Sequence, residues 1–174
     1  MDVFEAVRTV LAVRGFTKTT VPDEVLDKIL EAGRLTASAM NKQPWHFIVL
    51  KDQSHLSQLA VYLKSGRYVA TAPLAVAVAV EKGPLAISDG SRAIQDMILT
   101  AWEQGVGSNW VGFQGMLDEV KGFLKVPDDL ELLAVIPFGY PAREVGRGNK
   151  QRKTSAEITH LEEFGRPYPA RAMK

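Results

Sequence analysis

The chain has no cysteine, so disulfides, thiolate catalysis and sulfur-ligated metals are all excluded. Histidine is scarce: His46, His55 and His160 lie far apart and form no helical pair, which argues against a metal centre. Neither charge sign dominates. Twenty-one Lys and Arg against 20 Asp and Glu leave +1, which disfavours a broad nucleic-acid or membrane surface. Long apolar runs are missing too; the longest, Pro73 to Val80, is far short of the ~20 residues that span a bilayer. The start, Met1-Asp2-Val3-Phe4-Glu5, is not that of a signal peptide, and a cytoplasmic protein is expected. There is no G-x-S-x-G elbow, Walker loop or G-x-G-x-x-G turn, and Gly105-Val106-Gly107 follows a helical pattern rather than opening one. Ser38 has no base near it in sequence. No catalytic side chain is therefore assigned.

What is present is an ordinary globular composition, 46% hydrophobic and 24% charged over 174 residues, enough for one domain, residues 1–174, with a sizeable core. Apolar spacing predicts helices over 2–13, 20–35 (capped by Thr20), 53–64, 89–104 and 117–125. Strands are predicted at 46–50, buried on both sides, at 73–80, and at Leu132–Ile136. The wide apolar stripe of 89–104 suggests a helix buried on more than one side, such as at a subunit interface. Asp89, Asp96 and Glu103 along it read as a solvated face. This order predicts an α+β or α/β sandwich. Residues 143–153 are strongly basic, and 154–174 hold only scattered apolar anchors, Ile158, Leu161, Phe164 and Tyr168. Such a tail is disordered or pinned on a neighbouring surface.

The stretch Leu35–Leu50 carries the first hint of binding. Small residues run into a turn bearing two side-chain amides, Asn41 and Gln43, before Pro44 and Trp45. Proline pushes Gln43 towards extended backbone. The amides can satisfy their own turn or read the edge of a flat heterocycle. Arg8 and Arg14 near one end of the chain, with Arg152 and Lys153 near the other, are available for a phosphate. Gly112, in Trp110–Phe113, permits close backbone approach to a ligand. Phosphate plus flat polar ring describes a mononucleotide-like cofactor, and a cofactor that carries the chemistry needs only binding and electrostatics from the protein.

Ala37-Ser-Ala-Met-Asn41-Lys-Gln43-Pro44-Trp45, Asp89 to Trp110, and Gly139-Tyr140-Pro141 together resemble the flavin-dependent nitroreductase family over nearly the whole chain. The resemblance implies an α+β fold with a central, mostly antiparallel sheet flanked by helices, and an intertwined homodimer. FMN would lie at the dimer interface, and residues 154–174 would pack on the partner subunit. It implies that Arg14 lies near the FMN phosphate or ribityl chain; the chain departs from the family's polar triplet at Val10-Leu11-Ala12, and Arg8, one helical turn earlier, would substitute for the phosphate donors lost there. Asn41 and Gln43 would line the flavin, Val111 and Gly112 would lie beside its N5, and Arg152 would hold phosphate. The implied activity is hydride transfer from NAD(P)H through flavin N5 to a nitroaromatic, quinone or other small acceptor, in ping-pong order. The alternatives are a flavin or deazaflavin binder without turnover, or specialised chemistry such as flavin fragmentation or dehalogenation.

Overall fold

The computed structural model describes residues 1–112, 117–146 and 150–169. Four antiparallel strands form one sheet in the order β1-β2-β4-β3, where β1 is Trp45–Leu50, β2 Leu74–Glu81, β3 Gly107–Ser108 and β4 Leu130–Gly139. The fold is α+β. Helices cover both faces: α1 (Val3–Thr9), α2 (Asp23–Leu35), α3 (Gln53–Tyr62), α4 (Ala86–Glu103), α5 (Asp118–Phe123) and the short α6 (Ser155–Ile158).

β2 explains the layering. Its residues from Leu74 to Val80 are all buried, and its side chains alternate between the two faces. Leu74, Val76, Val78 and Val80 pack with Leu26 and Ile29 of α2 and Ile94 and Met97 of α4. Ala75, Ala77 and Ala79 pack with Leu56 and Leu59 of α3 and Val120 of α5. Small alanines thus leave room for leucines on one face, while the valine face meets α4 through glycine. A Cβ placed on Gly90 would lie 2.6 Å from Val80 Cγ1. Where α2 crosses α4, a Cβ on Gly33 would lie 2.9 Å from Met97.

Several expected boundaries move. The first helix stops at Thr9 rather than 13, because Ala12 bridges to Ser108 and the Val13 amide donates to the Ser108 carbonyl at 2.8 Å. Sheet pairing here outweighs helical periodicity. Pro22, not Thr20, caps α2, with no side-chain hydrogen bond. α4 begins at Ala86 and ends on a tight turn with Gly105 at φ +75°, where glycine removes the Cβ clash. β1 is half-buried, with His46 and Val49 exposed, rather than buried on both sides, since it pairs only with β2 and lies at a sheet edge.

β4 continues past Ile136, through Pro137, to Gly139. The Val135 amide points to the β3 side, donating to Val111, so by the two-residue period the Pro137 nitrogen faces that side as well. β3 is interrupted there between Ser108 and Val111, and the missing N–H breaks no bond to β2.

Candidate functional site

The Ser38–Gln43 turn is held from three sides. The Ala39 amide donates to Asp89 Oδ2 at 3.1 Å, the Gln43 amide donates to Ser38 Oγ at 2.9 Å, and the Glu81 amide donates to the Pro44 carbonyl at 2.8 Å. Within it, Met40, Asn41 and Gln43 have φ of 52°, 54° and 51°. The left-handed region is disfavoured for Met and Gln by ~1–2 kcal/mol each, whereas Asn tolerates it. Gln43 is therefore not extended as its position before proline suggested; the bond to Ser38 and the anchoring of Pro44 override that bias. The Gln43 side-chain nitrogen donates to Asn41 Oδ1 at 3.2 Å and to the Asn41 carbonyl at 3.3 Å. The two amides are thus brought together on an exposed turn, partly satisfying one another and the backbone.

Asp89 is only 2% exposed, with its other oxygen paired to Arg92. Asp96 Oδ2 accepts from Thr36 Oγ1 at 2.6 Å. Neither carboxylate belongs to a solvated face; both hold the segment leading into the turn. Their seven-residue spacing, two helical turns, was the sequence signal for this role.

The basic residues divide. Arg8 is exposed and bound by Glu5, its Nε 3.0 Å from Oε2 and its terminal nitrogen 2.9 Å from Oε1. Arg14 is exposed, opposite the buried Val13 on an extended segment, with no hydrogen bond or ion pair among the described residues. Arg152 donates to the Gln151 carbonyl at 2.9 Å. Lys150 was not singled out as a site residue, yet its Nζ donates to the Val7 carbonyl at 2.6 Å, joining segments 143 residues apart. Burial against α1, and then the positive charge of Arg152, hold the Lys150 ammonium below the usual lysine range. Neither cation has a carboxylate partner among the described residues. The charge of Arg152 acts on Lys150, and a phosphate bound beside them would offset that repulsion. Their spacing of two along an extended stretch was the available clue.

Val111 is buried, and its amide and carbonyl both pair with Val135, at 3.0 and 2.9 Å. Its N–H is therefore committed to the sheet. Gly112 is half-buried at φ +89°, its carbonyl accepting from Trp110 Nε1 at 2.8 Å. Phe113 and Arg147 lie outside the described residues. No hydrogen bond among the described residues joins the amide turn, the Val111–Gly112 corner and the basic group within the one chain. Surface hollows among the described residues are lined by other residues; one of about 480 Å³ lies between α1, Trp102 and Pro141–Val145.

The tail has local order but few partners of its own. A capping box joins Thr154 and Glu157, and the bonds from the Thr154 hydroxyl and amide hold the Glu157 carboxyl below its usual range. Ile158 is 62% exposed and Phe164 94%, so these two anchors are not seated on their own subunit. α1 also leaves Val3 and Phe4 exposed. Among the described residues no helix is long and apolar enough to cross a membrane.

The sequence matches the model of the nitroreductase family over residues 8–82 and a second, described as "Putative TM nitroreductase", over residues 65–171. A Methanothermobacter thermautotrophicus protein named "Putative NADH dehydrogenase/NAD(P)H nitroreductase" is 36% identical over 154 residues, 84% of this chain and 81% of its own. A solved FMN-dependent nitroreductase from Clostridium difficile is 27% identical with a TM-score of 0.82, over 92% of this chain and 99% of that one. A Desulfovibrio desulfuricans protein described as "a putative nitroreductase in complex with fmn" is 28% identical with a TM-score of 0.81, over 94% and 98%. The chain belongs to the nitroreductase family.

Proposed function

We propose that this protein is an FMN-dependent NAD(P)H oxidoreductase of the nitroreductase type that works as a homodimer. The observation that carries this reading is Lys150, docked on α1 through the Val7 carbonyl, with the charge of Arg152 acting on it and no carboxylate partner for either among the described residues. Family membership and the FMN of solved relatives support it. The donor set fits the group: cations for the phosphate, amides for the ring edge. FMN held by these residues would supply the chemistry, hydride transfer from NAD(P)H to a nitroaromatic, quinone or other small acceptor in ping-pong order.

Lys150, Arg152 and Arg14 hold the phosphate end. Arg8 joins them only by exchanging Glu5 for phosphate. Asn41 and Gln43 face the ring; with the Gln43 nitrogen turned to Asn41, Gln43 offers its oxygen and Asn41 its nitrogen outward. Val111 and Gly112 bring main chain to the ring near N5. Since the Val111 amide is bound to Val135, the approach falls to Gly112, whose Cβ side is filled by Leu117. No side chain acts as acid or base.

The dimer completes the site. No hydrogen bond among the described residues joins the amide turn to the basic group, and Ile158 and Phe164 project outward. The tail seats these side chains on the partner, and the cofactor lies between the subunits. Titrating the full-length protein with FMN tests this reading: quenching of free-flavin fluorescence at a stoichiometry of one per subunit is expected, and a protein that binds no FMN at excess cofactor contradicts it.

A further inference from the structure

Asp89 is a nearly fully buried acid that the proposed chemistry leaves without a role. One oxygen meets Arg92, and the other accepts the Ala39 amide at 3.1 Å. Two turns along the same helix, Asp96 accepts the Thr36 hydroxyl at 2.6 Å. Seven residues of α-helix rise ~10.5 Å. The chain from Thr36 to Ala39 runs extended, with ψ 139° at Thr36 and φ −127°, ψ 156° at Ser38. Three extended steps span ~10 Å. The two lengths agree, so this strip lies antiparallel along α4, tied at each end to a carboxylate. Immediately beyond the second tie the chain enters the left-handed angles of Met40 and Asn41. Such angles persist only where the surroundings over-determine them.

We propose that Asp89 is a positioning residue: with Asp96 it forms a two-point template on α4 that fixes the Ser38–Gln43 turn, and so sets where Asn41 and Gln43 present their amides. The bond to the Ala39 amide defines the start of the turn. Ser38 Oγ then closes it onto Gln43, and Glu81 fixes its exit at Pro44. Arg92 balances the buried charge from the solvent side, leaving the second oxygen for the backbone. The cofactor consequence rests on the FMN reading above; the template itself does not.

The test uses the full-length protein in three forms: wild type, Asp89→Ala and Asp89→Asn. Amide hydrogen exchange is followed across residues 36–44, with FMN affinity and the visible circular dichroism of the bound flavin measured alongside. Loss of a hydrogen bond to a charged acceptor predicts exchange at Ala39 and through the turn about tenfold faster in Asp89→Ala, FMN binding about tenfold weaker, and an altered flavin dichroism. Asp89→Asn, which retains an acceptor for the Ala39 amide, recovers most of each. Wild-type exchange in Asp89→Ala overturns the template, as does an Asn variant no better than Ala. Faster exchange with unchanged flavin affinity and dichroism overturns the positioning role. If Asp89→Ala does not fold, Thr36→Val serves at the other tie: exchange about tenfold faster at residues 36–39 supports the template, and unchanged exchange overturns it. A wild-type protein that binds no FMN refutes the cofactor reading, while the exchange result still decides the template.

Discussion

Lys150 and Arg152 concentrate the energetics of the proposed phosphate site. Arg152→Ala should weaken FMN binding by ~1.5–3 kcal/mol, the worth of a charged hydrogen bond to phosphate, as read by fluorescence titration. Arg8→Ala should lose less, because Arg8 must first leave Glu5. Lys150 adds a pH dependence of known sign. Its folded-state pKa is lowered by burial and by Arg152. Between that value and the unfolded one, the unfolded chain binds more protons, so the stability of the FMN-free protein rises with pH there. Over the same range the ammonium is lost and FMN affinity falls. Lys150→Met removes both trends; affinity that falls equally in that variant assigns the titration elsewhere. The turn that brings Asn41 and Gln43 together was legible from its motif. Lys150 and Asp89 were not, because each acts through a contact distant in sequence, with Val7 and Ala39. A charged residue's default reading is solvent until such a partner is visible.

Elements show the same division. The β2 strand, α2 and α4 were recognisable because composition and period agree with burial. The first helix was overextended, since Ala12 and Val13 obey the pull of β3, and β4 was cut short at Pro137, whose missing N–H falls where β3 is interrupted. Glycine contacts yield a paired stability test. Gly90→Ala forces a methyl to within 2.6 Å of Val80 and should destabilise by ~1–3 kcal/mol. Gly122, exposed in α5 with nothing within 4 Å of an added Cβ, should accept alanine and gain ~0.4–1 kcal/mol. Thermal or denaturant unfolding of the two variants should move in opposite directions; equal shifts would refute the close packing of α4 on β2.

At the scale of the whole molecule, the order of elements narrowed the class to α+β or α/β and the resemblance pointed to α+β, but no hydrogen bond among the described residues of one chain joins the amide turn to the basic tail. The dimer supplies that step in the account. Phe164→Asp alters a side chain that is solvent-exposed in one subunit, so it should leave the subunit folded while shifting sedimentation towards monomer and weakening FMN binding together. An unchanged dimer with unchanged affinity would remove the tail from the interface. The central claim, that this fold holds FMN and draws electrons from a nicotinamide, is met most directly by the absorbance of the FMN-loaded protein under anaerobic conditions. Adding NADH or NADPH should bleach the flavin bands, and a subsequent quinone or nitroaromatic should restore them. Flavin bands that persist in excess of both donors would contradict the account and leave a binder without turnover.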